Sequence, residues 1–444
     1  MQIVRIILIV VGPFLLLISS CQDPMGKLSR KASSATGFQN VLVDSTNSIS
    51  RYKPCEPSIF VSPVNPDIQV AGIVLNKTLR SLDRGRTWDL QFVESSYGVY
   101  GDPVITADYD GNFYFAHLAD PKGTGRSGES WLDRIVIQKS TDQGKTWSNG
   151  TFAGHRPPAD QDKHWLAVDP RTNYIYMTWT EFDKYGSKDA DDKSRILFSR
   201  SADKGGSWSQ AVTISQKEGD CIDGDLTTEG AVPAVGPDGT VYVAWAYNEK
   251  IYFDKSVDLG RSWLENDIEV TEQPGGWDID IPGLGRANGM PVTATDLSDG
   301  PHRGTIYVNY CDQSAGTDDT DVWLVKSKDF GETWSAPIRV NDDAPGKHQF
   351  FTWMSVDPVT GAIYVIFYDR RNHAGNETDV YLAASFDGGA NFRNVKVSSS
   401  PFTPSEGVFF GDYNCISAYD GVVRPIWTRM DGMQLSVWTA MIDL

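Results

Sequence analysis

The chain has 444 residues, 40% of them apolar and 22% charged. That is room for one large folded domain, or about two to three average ones, with a sizeable core. A formal net charge of −18 argues against a nucleic-acid partner, because neutralising phosphates requires clustered Lys and Arg. The same acidity works against an anionic polysaccharide unless one local patch is basic. Aromatic residues make up 11%, with 14 Trp, a composition that favours strands.

In chain order, the first element is a signal. Arg5 supplies a short positive region, and residues 6–18 are apolar apart from Gly12 and Pro13. Ile18-Ser19-Ser20-Cys21 then places small residues before a cysteine. So short an apolar stretch is a poor membrane span and a good signal peptide. The segment resembles a bacterial lipoprotein signal, which implies cleavage before Cys21, lipidation of Cys21 and anchorage to the lipid bilayer of the cell envelope. Residues 1–20 are thus expected to be the signal, the polar, Ser-rich 21–36 a flexible tether, and 37–444 a single domain. Cys311 and Cys415 fall in strand-like runs and are expected to be buried. Cys55 and Cys221 fall in loops and could pair in an oxidising compartment.

A motif recurs six times along 37–444. It runs Ser81 to Trp88, Ser140 to Trp147, Ser201 to Trp208, Ser256 to Trp263, Ser327 to Trp334 and Ser385 to Phe392, each reading S-x-D-x-G-x-(T/S/N)-(W/F). Successive copies start 59, 61, 55, 71 and 58 residues apart, and such a period marks a repeat architecture. Ser and Asp side chains pin a turn through local hydrogen bonds. Gly admits the positive φ, and the closing aromatic returns to an apolar interface. Each copy has the same surroundings, as in Trp165–Asp169, Tyr174–Trp179, Arg195–Ser199, the motif and Ala211–Ile214. That is a four-stranded antiparallel meander, one propeller blade. Residues 410–443 supply three more strand-like runs without a motif. Phe38–Asp44 is a fourth strand without a blade. Pairing the two closes the ring and removes an open sheet edge. The expected fold is therefore all-β: a seven-bladed β-propeller with six motifs, closed by the strand at 38–44.

The motif is the Asp box, and the chain resembles the sialidase-like (BNR-repeat) propeller proteins over nearly all of 37–444. The boxes are structural pins. In a four-strand meander they link third to fourth strands, so function is expected on the opposite face. There, before each first strand, stand Glu56, Asp102, Asp162, Glu229, Asn288, Gln349 and Asp412, with His164, His348 and Tyr413 beside them. Second-to-third loops add Glu181, Asp312, Tyr368, Asp369, Arg370, Arg371 and Arg429 to that face. Trp131, Tyr185 and Trp277 in its long loops can stack on sugar rings.

The resemblance implies a carbohydrate-active protein and a monomer that binds a glycan or oligosaccharide. Sialidases carry an (F/Y)-R-I-P motif before the first blade, and the matching stretch here, 51–57, reads RYKPCEP. No three Arg residues can be assigned to the sialidase Arg triad. A glycoside hydrolase acting on an acidic or complex glycan is expected, its acid, base or nucleophile among Asp162, Glu229, Asp412, Tyr413 and His164. Contacts to the substrate are expected from Glu56, Asp102, Glu181, Asn288, His348, Tyr368, Asp369, Arg370, Arg371 and Arg429. Arg370-Arg371 can clamp a carboxylate bidentately or form salt bridges with loop acids. Two other readings stay open. One is a polysaccharide lyase using His164 or Tyr413 as base, and the other is a non-catalytic glycan-binding lipoprotein. No cofactor is implied. Ca²⁺ could sit on the acidic runs 189–192, 220–225 or 318–321, though none matches a defined Ca²⁺ loop.

Overall fold

The strands follow from β-branched and aromatic runs such as Ile363–Asp369 (IYVIFYD) and Val241–Tyr247 (VYVAWAY). Both are buried along nearly their whole length, as central strands packed on two faces must be. The computed structural model describes residues 23–32, 37–46 and 53–444. The expected signal and Cys21 lie outside the described residues.

Twenty-eight strands form seven antiparallel sheets of four. Blades 1 to 6 span 58–92, 104–153, 160–213, 229–272, 292–339 and 349–396. Blade 7 takes three strands from 415–443 and its outermost from Gln39–Asp44. That outer strand pairs antiparallel with Gln434–Asp443, setting Gln39 opposite Met441 and Leu42 opposite Trp438. The first strand of each blade contacts those of both neighbours, including blade 7 with blade 1, so the ring is closed.

A buried ion pair fixes the closing strand. Lys77 Nζ lies 2.7 Å from Asp44 Oδ2, with both side chains shielded from water, and the same ammonium donates to the Thr46 carbonyl. On the other side of the seam, buried Arg424 donates to the carbonyls of Arg84, Val423 and Ile442 at 2.8–3.1 Å. Blade 7 is thereby tied to the first Asp box.

All six boxes share one geometry. The Gly amide donates to the Ser hydroxyl at 2.8–2.9 Å. The Ser hydroxyl donates to the Asp carboxylate at 2.8–2.9 Å. The closing aromatic reaches the preceding blade. Trp147 Nε1 donates to Thr78 and Trp208 Nε1 to Thr151, both at 3.0 Å. Trp263 packs edge-on against Phe198 at 4.8 Å, and Trp334 against Phe253 at 5.1 Å.

Two features add to the sequence reading. Part of the expected tether is helical: Pro24–Ala32 form an α-helix with Leu28 fully buried. The helix packs on the outer strand of blade 6, Arg393–Lys396. The Asp23 side chain accepts the Gly26 amide at 2.9 Å, capping a first turn, and Leu28 is the helix residue fully buried in the docked contact. The four described cysteines are free and buried, so Cys55 and Cys221 do not pair. Cys55 precedes blade 1 in the axial core, whereas Cys221 belongs to the link between blades 3 and 4.

Candidate functional site

The first strands surround an axial channel with unlike ends. Toward the Asp-box face it is a cavity of about 220 Å³ lined by apolar stretches of all seven first strands, such as Ile59–Val61 and Val232–Val235. Midway, Trp165, Trp353 and Tyr413 pack together, with ring centroids 4.2 Å apart for the two Trp and 5.5–6.0 Å for the Tyr contacts. Beyond this aromatic plug a second cavity, of about 250 Å³, opens on the face opposite the boxes.

Backbone strain aims the side chains into that second cavity. Glu56, Asp102 and Lys163 each stand two residues before the core of a first strand, at φ of 51°, 48° and 50°. L-residues reach this left-handed region at a cost of about 1–2 kcal/mol, and such strain is retained mostly where the surroundings or a function require it. In blade 3 the cause is a β-bulge: Asp162 faces Thr180 and Trp165 faces Thr178, so three steps along one strand match two on its partner. The extra residue turns Lys163 into the place that Glu56 and Asp102 hold in blades 1 and 2.

The charges converge. Lys163 Nζ lies 2.5 Å from Asp412 Oδ2 and 3.5 Å from Asp102 Oδ2. Arg286, from the link between blades 4 and 5, lies 2.8 Å from Asp412 and 2.7 Å from Asp223. Tyr185 and Trp277 also donate to Asp223, at 2.6 and 3.0 Å. Glu56 accepts the Asp412 amide at 3.1 Å, and Asn288 donates to the Asp412 carbonyl at 2.9 Å. Burial opposes the charge on Lys163, but Asp102, Asp412 and Asp162 hold its pKa well above the usual lysine value.

The acids divide into two kinds. Asp412 is a carboxylate clamped between an ammonium and a guanidinium. Asp162 is pushed up to about 8, first by burial and then by Asp102 and Asp223, with Lys163 opposing. Burial also raises Glu56 and Glu229 well above the usual carboxylate range. Glu229 is wholly enclosed and neither oxygen has a hydrogen-bond partner in the protein. One cavity thus brings Asp162, whose pKa burial raises, together with the ion-paired Asp412.

Of the residues picked from the sequence, Glu56, Asp102, Asp162 and Asp412 line this cavity, with Trp131 and Tyr185. Asn288 and Glu229 back it. His164 and Tyr413 adjoin it but do not line it. Burial lowers His164 to about 4 and raises Tyr413, so both are neutral and enclosed. The remaining picks lie elsewhere and are engaged. Gln349 bonds Asn341 and Asp343 at 2.7 and 2.9 Å. His348 meets Thr320 at 3.0 Å, and Tyr368 donates to the Thr428 carbonyl at 2.8 Å. Glu181 binds Arg156 and Arg195, both at 3.0 Å. Arg370 donates to the Pro282 carbonyl at 2.7 Å. Arg371 pairs with Asp369 and Asp342 at 2.7 and 2.5 Å, and Arg429 with Asp431 at 2.7 Å. Arg371 is therefore taken up by loop acids. Lys163, Arg286 and Asp223 went unpicked. Only the bulge and a link fold bring them in, and a lone Lys between an Asp and a His carries no spacing signal.

No family model and no curated protein matches this chain. Solved structures do. An ulvan lyase, described as a polysaccharide lyase bound to -[GlcA(1-4)Rha3S]-, aligns at TM-score 0.56 and 12% identity, over 91% of this chain and 96% of that one. A protein of unknown function from Dyadobacter fermentans aligns at TM-score 0.50 and 12% identity, over 91% and 98%. A sialidase from Streptococcus pneumoniae aligns at TM-score 0.49 and 10% identity, over 84% and 83%. At such identities the likeness is one of fold, and in fold this chain is a seven-bladed propeller of four-stranded antiparallel blades carrying six Asp boxes.

Proposed function

We propose that the chain is a glycoside hydrolase that cleaves an acidic or complex glycan in the axial cavity opposite the Asp boxes. The observation that carries this is the pairing of unlike acids there. Asp162 keeps its proton near neutrality and can give it to a leaving sugar oxygen. Asp412, ion-paired with Lys163 and Arg286, is the second carboxyl group that glycosidic cleavage requires. Trp131 and Tyr185 border the cavity beneath Arg126. The ulvan lyase that shares the fold, described as bound to a glycan, supports the same class of substrate.

The bases expected for an eliminating lyase, His164 and Tyr413, are both sealed behind the cavity wall, which counts against elimination through either of them. The test is a polysaccharide panel assayed for new reducing ends with wild type, Asp162→Asn and Asp412→Asn. An unsaturated product with ultraviolet absorbance would assign elimination instead. Retention on a glycan array with no turnover would assign a binding protein.

The same proposal places the chain at the bacterial cell envelope through a lipid on Cys21. Labelling of growing cells with an alkynyl fatty acid should mark wild type and not Cys21→Ala.

A further inference from the structure

Arg126 stands apart from the other cations that line the cavity. It is exposed, and among the described residues it has no ion pair with a carboxylate, whereas Lys163 and Arg286 are both paired with Asp412. Its position is nonetheless fixed. The guanidinium lies 5.5 Å from the Trp131 ring centroid and 5.1 Å from that of Tyr185, a cation–π seat. Those rings pack edge-on at 5.8 Å. The turn bearing Arg126 is tied down by Asp120, which accepts the amides of Thr124 and Gly125 at 3.2 and 2.7 Å. An Arg held by aromatic faces keeps its donor fork free for a ligand.

Arg126 also stands at a junction. The acid-bearing cavity is not closed at this point. A neighbouring cavity of about 380 Å³ shares Arg126, Arg286 and Phe409 with it and adds Glu406 and Val408. Phe409 is an exposed aromatic, 54% accessible. The two spaces meet at Arg126, Arg286 and Phe409, with the Trp131–Tyr185 pair lining the acid-bearing side and Glu406 and Val408 the other, and together they outline a groove. A groove of that form admits more than one sugar ring.

We propose that the binding site extends along this groove past the sugar being cleaved, and that Arg126 is the contact for an oxyanion, a uronate carboxylate or a sulfate ester, on a neighbouring sugar. This rests on the reading of the cavity as a glycan site. It reconciles an acidic glycan with a protein of net charge −18, since the one unneutralised guanidinium of the groove supplies the local attraction.

The test is binding by the full chain, followed by tryptophan fluorescence and calorimetry. The probes are oligogalacturonate against its methyl ester, and dextran sulfate against dextran. Wild type should prefer the charged member of at least one pair by about tenfold, the scale of one charge-assisted contact, and added salt should shrink that preference. Arg126→Gln should bring the ratio close to one. Arg126→Lys should fall between, because an ammonium lacks the bidentate fork. Preference within the first pair identifies a carboxylate, and within the second a sulfate. The proposal is overturned if wild type does not distinguish either pair, or if Arg126→Gln keeps the full preference. An Arg126-dependent preference without cleavage refutes only the hydrolase reading, and Asp162-dependent cleavage without charge preference refutes only this inference.

Discussion

Replacing Lys163 by Met tests the charge network on which the site depends. The substitution keeps most of the side-chain volume, so no large cavity opens. It removes the cation 2.5 Å from Asp412 and 3.5 Å from Asp102. Asp412 keeps Arg286, but Asp102 loses its one ion-pair partner among the described residues. Removing one member of a buried pair costs about 3–5 kcal/mol, which in a chain this long lowers the melting temperature by about 4–6 °C. The loss should depend on pH with a definite sign. In the folded variant the uncompensated acids hold protons that the unfolded chain releases above its ordinary carboxylate pKa of about 4. The folded state then binds more protons than the unfolded one, and stability falls as pH rises. Melting curves by circular dichroism at about pH 5 and about pH 8 should show the larger deficit at the higher pH. A variant that melts within about 1 °C of wild type at both, or whose deficit is larger at the lower pH, would refute the reasoning.

Asp162→Asn should lower turnover by about 10²–10⁴-fold, and wild-type activity should decline as pH rises past about 8, where the Asp162 proton is lost, readable in a pH–rate profile. Lys77→Met should cost about 3–5 kcal/mol by denaturant titration, and adding Asp44→Asn should restore part of it, since the stranded charge goes too. Asp142→Ala removes the acceptor for Ser140 and Thr146 and should cost about 1–3 kcal/mol while leaving turnover as it is, because that box lies on the opposite face. With all four described cysteines free, the melting temperature should be the same with and without reductant.

The ring was legible because its signals are local and repeated. Six boxes, a blade rhythm and two leftover ends suffice to require closure, and the pairing of Gln39–Asp44 with Gln434–Asp443 is the closure they require. The helix at Pro24–Ala32 was not legible: its composition is that of a tether, and only the surface of blade 6 gives Leu28 somewhere to go. For the site, the face and four of its acids could be read from position before each first strand. Lys163 could not, because counting along the sequence assumes a regular pleat and the blade 3 bulge shifts the aimed residue from 162 to 163. Arg286 and Asp223 lie in long links whose paths no periodicity describes. Arg370 and Arg371 drew attention as a doublet, yet a doublet on an acidic surface finds carboxylates close at hand, and Arg371 pairs with Asp369 and Asp342.

The joining of residues 39–44 to 434–443 has a consequence for biosynthesis. The strand at 39–44 waits unpaired while the roughly 390 residues that separate it from its partner at 434–443 are synthesised. Blades 1 to 6 can assemble in turn, each on the one before, but the chain stays an open arc with two bare edges until its final strand arrives. Premature termination, even by a single strand, would therefore leave a nearly complete molecule that can neither close nor hide those edges, and such products are the ones a cell has most reason to degrade.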